Sequence, residues 1–235
     1  MMSPDPNCWT IVANGPFLPI AIIKEAIRGR KVIATDGAAD HLRQLNLRPD
    51  VIIGDFDSIN PLPWEIVKTY DQLTDDDVPY FGHDETTIVP SKNQGKTDLQ
   101  KAIEYCDNIG ASHITIICAL GGRLDQHEAN LRQLRRNYLK QRIILMHSNQ
   151  ESIRYAKDET VNFHGLPGDY CGILAFPQAV ISTHGLVYEA QQLRLNFGIV
   201  EGTNNQLKMD QVEVMVEGEA LIIMPPQLVA QRLNK

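Results

Sequence analysis

The sequence predicts an α/β protein in two parts: a parallel-sheet α/β domain with helices on both faces over 1–148, then a small all-β sandwich or barrel over 149–235. Three observations predict it. Up to about residue 147, short apolar strand-like runs alternate with helix-like segments, the pattern of a parallel sheet covered by helices. Beyond residue 148 the helical period stops, and two-residue alternation with frequent glycine replaces it. In the first part, the strand ends deliver aspartates, two of them beside glycine, to the edge where open parallel sheets bind ligands.

The elements follow in order. Residues 8–13 read as a strand, closed by the turn signal Asn14-Gly15-Pro16. A helix is expected over 19–28, a buried strand over 31–35, a helix over 37–45 and an apolar strand over 51–53 ending at Gly54. A short helix over 62–69 and an acidic, solvated loop over 71–85 come next, the loop containing Asp75-Asp76-Asp77. The β-branched run 86–89 reads as extended. Over 97–108, Leu99, Ala102, Ile103 and Cys106 fall on one helical face. A central strand over 113–120, a helix over 125–139 and a strand over 142–147 complete the domain. In the second part, Val212, Val214 and Val216 alternate with Glu213, Met215 and Glu217, and Glu217-Gly218 is expected to turn the chain into a strand over 221–224.

Composition narrows the class. The chain has 235 residues, 43% of them hydrophobic, enough for a core, and a formal net charge of -7, which argues against a general nucleic-acid binder. Cys8, Cys106, Cys118 and Cys171 form no C-x-x-C pair, so zinc and redox readings are weak and reduced cytoplasmic thiols are expected. No signal peptide is visible and no run approaches the ~20 apolar residues of a membrane span.

Asp55 and Asp57, in Gly54-Asp55-Phe56-Asp57-Ser58, project to one side of an extended segment. Two carboxylates so placed bind a proton or a cation, and magnesium suits them because it takes one or two carboxylates and keeps positions for phosphate oxygens. The bland alternative is a pair of Asx turns. Asp36, Asp98 and Asp125 are expected at the same sheet edge, which favours the functional reading. Thr97 with Gln100 makes a capping box, leaving Asp98 to project toward a metal. Asp125 has three readings: helix cap, metal ligand, or partner that orients Arg123. Gly121-Gly122 permits close approach of backbone to phosphate, at the N-terminus of a helix, and Arg123 can neutralise phosphate charge. The segment from Pro90 to Thr97 imitates a Walker A loop, but Pro90 stands where the first glycine belongs, so a true P-loop is not expected.

Together these motifs resemble the thiamine pyrophosphokinase family over nearly the whole chain. The carriers are V-A-N-G at 12–15, D-G-A-A-D-H-L at 36–42, P-D-V-I-I-G-D-F-D-S at 49–58, Q-G-K-T-D at 94–98 and G-G-R-L-D-Q at 121–126. Y-C-G-I-L at 170–174, T-H-G-L-V-Y at 183–188 and L-N-F-G at 195–198 carry it through the second part. The resemblance implies transfer of diphosphate from ATP to the hydroxyethyl group of thiamine, giving thiamine diphosphate and AMP. It also implies Mg2+, a β-rich thiamine-binding domain, and a homodimer with shared active sites. The family's S-T-S-N reads Gly202-Thr203-Asn204-Asn205 here, a larger Asn204 in place of a serine on the thiamine side.

The expected site follows. Asp55, Asp57 and Asp98 hold magnesium, with Arg123 and Asp125 also catalytic. Asn14, Gly15, Asp36, Gly37, Thr97, Gly121, Gly122 and Arg123 line ATP, with Lys96 a weaker phosphate partner. Gln94, Tyr188, Asn204 and Asn205 line thiamine, Tyr188 through stacking and cation–π attraction. Asp57 or Asp98 receives the hydroxyl proton, a choice the sequence leaves open. Competing readings are a diphosphokinase for another small alcohol such as a hydroxymethylpterin, a catalytically silent thiamine- or nucleotide-binding regulator, and a metal-dependent phosphohydrolase.

Overall fold

The computed structural model describes residues 5–55, 80–81, 86–91 and 93–228. They divide into two compact units, one of the described residues up to 133 with 141–143, the other of residues 134–140 with the described residues from 144 on.

The first unit runs β1 (Asp5–Val12), α1 (Ile20–Ile27), β2 (Arg30–Thr35), α2 (Ala38–Gln44), β3 (Val51–Gly54), β4 (Tyr80–Phe81), β5 (Thr87–Pro90), α3 (Asp98–Asn108), β6 (His113–Ile117) and most of α4 (Leu124–Arg136). The strand order is β6-β1-β2-β3-β5-β4, parallel except for β4. The central strands are apolar runs because both their faces are covered; Ile11, Ile33, Ile52 and Ile116 are fully buried. Adjacent residues of β1 show this cover directly, since neighbours on a strand point to opposite faces. Thr10 Oγ1 donates to the Ala26 carbonyl of α1 at 2.5 Å, while the Trp9 ring meets Tyr105 of α3 edge-on at 6.1 Å. Helices therefore lie on both faces, as the sequence predicts. Leu99, Ala102, Ile103 and Cys106 of α3 are all buried, the expected stripe.

The chain walks outward through β2, β3 and β5, then returns through α3 to place β6 on the other side of β1. The topological switch point therefore lies between β1 and β6, where such sheets bind ligands. Three local expectations need correction or limits. The strand expected over 113–120 stops at Ile117, because Cys118 adopts a left-handed φ of 58°. Within the acidic segment expected to be loop, Tyr80 and Phe81 pair antiparallel to β5. The rest of that segment, and the helix expected over 62–69, lie outside the described residues.

The second unit is antiparallel throughout. It comprises β7 (Ile143–His147), β8 (Ser152–His164), β9 (Tyr170–His184), β10 (Leu193–Asn196), β11 (Gly202–Gln206) and β12 (Gln211–Met224). β12 runs between β8 and β9, β7 extends the sheet beyond β8, and β10 and β11 pair with opposite ends of β9. Val212, Val214 and Val216 enter its core, as their alternation predicts, against Phe163, Ile181 and Leu195. The turn expected at Glu217-Gly218 is instead a bulge within one long strand. Pairing slips there against both neighbours. Gly218 has φ 90°, a Cβ on it would lie 2.7 Å from the Gln178 carbonyl oxygen, and its N–H donates to Asp158 Oδ1 at 2.7 Å. Only glycine fits that position.

The last turn of α4 belongs to this unit. Arg135 Nε donates to Glu219 Oε2 of β12 at 2.6 Å, and Lys157 of β8 reaches Glu219 Oε1 at 3.2 Å. The Tyr138 hydroxyl donates to the Lys157 carbonyl, and the Tyr138 ring packs edge-on against Tyr155 at 5.3 Å.

Candidate active site

The site is built on a lateral series of glycines at the carboxyl ends of the first unit's strands. A Cβ on Gly15, after β1, would lie 2.4 Å from the Cys118 carbonyl oxygen after β6. One on Gly37, after β2, would lie 2.4 Å from Asn14 Nδ2 after β1. One on Gly54, ending β3, would lie 2.7 Å from Asp36 Cβ after β2. Each loop thus covers the glycine of the next strand, in the order β6, β1, β2, β3. Close approach, not left-handed backbone, requires these three residues. Asp36 is buried at 3% exposure, and its backbone N–H bonds the Ile53 carbonyl of β3 at 2.9 Å. Asn14 is exposed at the sheet edge.

Asp55 follows β3, half-buried, and its Oδ2 accepts from Gln94 Nε2 at 2.8 Å. A residue expected on the metal side thereby meets one expected on the thiamine side. Asp57 lies outside the described residues. Thr97 caps α3, its Oγ1 accepting from Gln100 N at 3.3 Å, so the cap forms as expected. Gln100 does not return the bond; its amide donates to Glu104 Oε1 at 3.1 Å. Asp98, one residue into the helix, accepts the Lys101 ammonium on Oδ1 at 2.9 Å. The same ammonium donates to the Ser91 carbonyl at 2.9 Å, just beyond β5. Lys96 is held by Glu104 at 2.7 Å.

Between β6 and α4, Gly121 and Gly122 have φ 87° and 68°, which glycine adopts without strain. The Gly121 N–H donates to His127 Nδ1 at 3.0 Å, and Asn130 Nδ2 donates to the Ala119 carbonyl at 2.7 Å. Two side chains of α4 thus hold this loop. Asp125 lies inside α4, past the cap position, and forms a two-pronged pair with Arg123: Nε to Oδ1 at 3.1 Å and Nη2 to Oδ2 at 2.6 Å. That pair is the contact the Arg123-orienting reading of Asp125 requires. The arginine's hydrogen bond holds the Asp125 carboxyl below the ordinary range.

In the second unit, Tyr188 is 74% exposed on the loop between β9 and β10. Its backbone is clamped. Asn205 Oδ1 accepts from Tyr188 N at 3.1 Å and Asn205 Nδ2 donates to the Tyr188 carbonyl at 2.7 Å. Glu189 accepts from Gly185 N at 2.8 Å, Leu186 N at 3.2 Å and Thr183 Oγ1 at 2.9 Å. Asn204 takes a left-handed φ of 59°, a conformation asparagine tolerates. The Tyr188–Asn205 group and the Asp55–Asp98 group belong to different units.

All four cysteines are free. Burial pushes the Cys106 and Cys171 thiols up to about 12 and Cys118 to about 11, so these three are inert structural thiols. Among the described residues no three His, Cys, Asp or Glu side chains gather into a metal cluster, and no helix is long and apolar enough to cross a membrane.

Comparison with known proteins decides the family. Residues 25–146 match the thiamin pyrophosphokinase catalytic domain and residues 151–221 its vitamin B1 binding domain. The chain belongs to the thiamin pyrophosphokinase family. Thiamine pyrophosphokinase 2 of Arabidopsis thaliana is 30% identical over 185 residues, 74% of this chain and 64% of that protein. Thiamine pyrophosphokinase 3 of Oryza sativa is 27% identical over 75% of this chain and 65% of its own length. The chain thus spans a little under two thirds of these curated relatives. The fold matches the crystal structure of a thiamine pyrophosphokinase from Bacillus subtilis with a TM-score of 0.76 at 20% identity, covering 94% of this chain and 100% of the other. A thiamin pyrophosphokinase from Candida albicans matches with a TM-score of 0.70 at 16% identity over 96% of each chain.

Four residues that hold the candidate site residues or their loops escape the sequence reading. Lys101 had a signal, its i, i+3 spacing from Asp98. His127 and Asn130 fall within the first two turns of α4, where side chains can fold back on the preceding loop. Glu189 had none, because its partners, two backbone amides and the Thr183 hydroxyl, are brought near by the loop itself.

Proposed function

We propose that this chain transfers the terminal diphosphate of ATP to the hydroxyethyl group of thiamine, releasing AMP. The observation that carries the reading is the pairing of Asp55 with Gln94, which joins a carboxylate of the phosphate side to an amide of the acceptor side within a chain of this family. The new bond forms between the thiamine hydroxyl oxygen and the β-phosphorus, and the α,β-bridging P–O bond breaks. Transfer of this kind needs positioning and charge neutralisation more than covalent help.

Asp55, Asp57 and Asp98 are the residues we assign to Mg2+, which when bound supplies positive charge on the triphosphate. The donor set fits a hard, oxygen-seeking cation. Gln94 engages one oxygen of Asp55 and Lys101 one of Asp98, and the other oxygen of each accepts no hydrogen bond from the described residues. Arg123 neutralises phosphate charge. Its pair with Asp125 is exposed and screened by water, so the guanidinium can turn to a ligand at small cost. Asn14, Gly15, Asp36, Gly37, Thr97, Gly121 and Gly122 shape the nucleotide side. Asp57 or Asp98 takes the hydroxyl proton. Gln94, Tyr188, Asn204 and Asn205 are the residues we assign to thiamine.

We further assign a homodimer with shared sites and a cytoplasmic location. Exposed Leu193, Phe197, Ile199 and Val200 on and after β10 support the first, and the free cysteines the second. Incubation with ATP, Mg2+ and thiamine, followed by chromatography, tests the activity. AMP formed only with a different alcohol, such as a hydroxymethylpterin, overturns the thiamine assignment, and phosphate release without any acceptor points to a hydrolase. Thiamine bound without ATP consumption points to a regulator.

A further inference from the structure

We infer that Lys101 is a positioning residue that fixes the Asp55 and Asp98 carboxylates relative to each other; the inference rests on the metal reading above. Its side chain is only 5% exposed, and it sits in the first turn of α3. Both facts run against a lysine. Burial disfavours an ammonium, and the positive end of the helix dipole disfavours a cation.

The contacts supply the reason. The ammonium donates to Asp98 Oδ1 and to the Ser91 carbonyl, both at 2.9 Å. Ser91 in turn donates its N–H to the Gly54 carbonyl at 2.8 Å, and Asp55 is the next residue. Three consecutive hydrogen bonds therefore run from Asp98 through Lys101 and Ser91 to the end of β3. They join a carboxylate on a helix to one after a strand that is not its sequence neighbour. Gly54 and Pro90 are register partners, so the path follows the β3–β5 pairing and inherits its rigidity. The ammonium also offsets Asp98 when no cation is present.

The test is Mn2+ binding, followed by electron paramagnetic resonance, in the presence of α,β-methylene ATP, whose cleavable linkage is carbon. Lys101→Met is expected to weaken Mn2+ binding about tenfold, the effect of removing an outer-shell partner of a metal ligand. Lys101→Arg recovers most of the loss. In an Asp98→Asn background, Lys101→Met adds less than about twofold, because both act through one path. In steady state, kcat falls while the KM for thiamine holds. If Lys101→Met does not fold, Lys101→Gln, which keeps a donor to the Ser91 carbonyl, is judged by the same criteria. Wild-type Mn2+ affinity in a folded variant overturns the inference, as does an undiminished loss on top of Asp98→Asn. Wild-type protein that binds no Mn2+ with the analogue overturns the metal reading itself.

Discussion

Asn205 holds both the N–H and the C=O of Tyr188 with one amide, so the displayed ring depends on a residue that uses donor and acceptor together. Asn205→Asp keeps the shape but sets a carboxylate oxygen against the Tyr188 carbonyl. We expect the KM for thiamine to rise about tenfold, the ~1.4 kcal/mol of a lost polar contact, while the KM for ATP stays unchanged. Unchanged thiamine kinetics would remove Tyr188 from the acceptor side. Gly54 makes a different demand, for space. Gly54→Ala forces a Cβ to within 2.7 Å of Asp36 Cβ, and we expect about 1–3 kcal/mol of destabilisation in urea unfolding. A neutral result would mean the β2 and β3 ends are looser than their packing implies.

At the scale of elements, most of the architecture was legible because the signals are local. The stripe of α3 and the Thr97 cap depend on spacing within one turn or two, and both formed. Thr97→Ala should therefore cost about 1 kcal/mol, read as a lower melting temperature. What could not be read depends on partners far away in sequence. The Glu217-Gly218 pair has the composition of a turn, but flanking strands on both sides convert it to a bulge. The end of β6 is set by the left-handed Cys118, a conformation that cysteine does not announce. The candidate site divides in the same way. Asp55, Asp98, Arg123 and the glycines stand in recognisable motifs at strand ends. Lys101, His127 and Glu189 bond backbone groups of Ser91, Gly121, Gly185 and Leu186, contacts that no side-chain spacing announces.

At the scale of the whole molecule, the end of α4 is anchored to β12 by a charge network. The Arg135 hydrogen bond, with help from Tyr155 and Lys157, holds the Glu219 carboxyl down at about 2. A carboxylate depressed in the folded state contributes stability that is complete above its ordinary value near 4.5 and is lost as pH falls toward 2. Wild-type protein should therefore lose urea resistance between about pH 4.5 and pH 2 more steeply than Glu219→Gln. Parallel curves would show that the network does not form in solution. The family match spans both units. The most direct measurement is product analysis after incubation with ATP, Mg2+ and thiamine, in wild type and Asp98→Asn. The expected result is AMP and thiamine diphosphate in equal amounts from wild type, with both lost in the variant. Thiamine recovered unchanged while ATP is consumed, or full activity in Asp98→Asn, would contradict it.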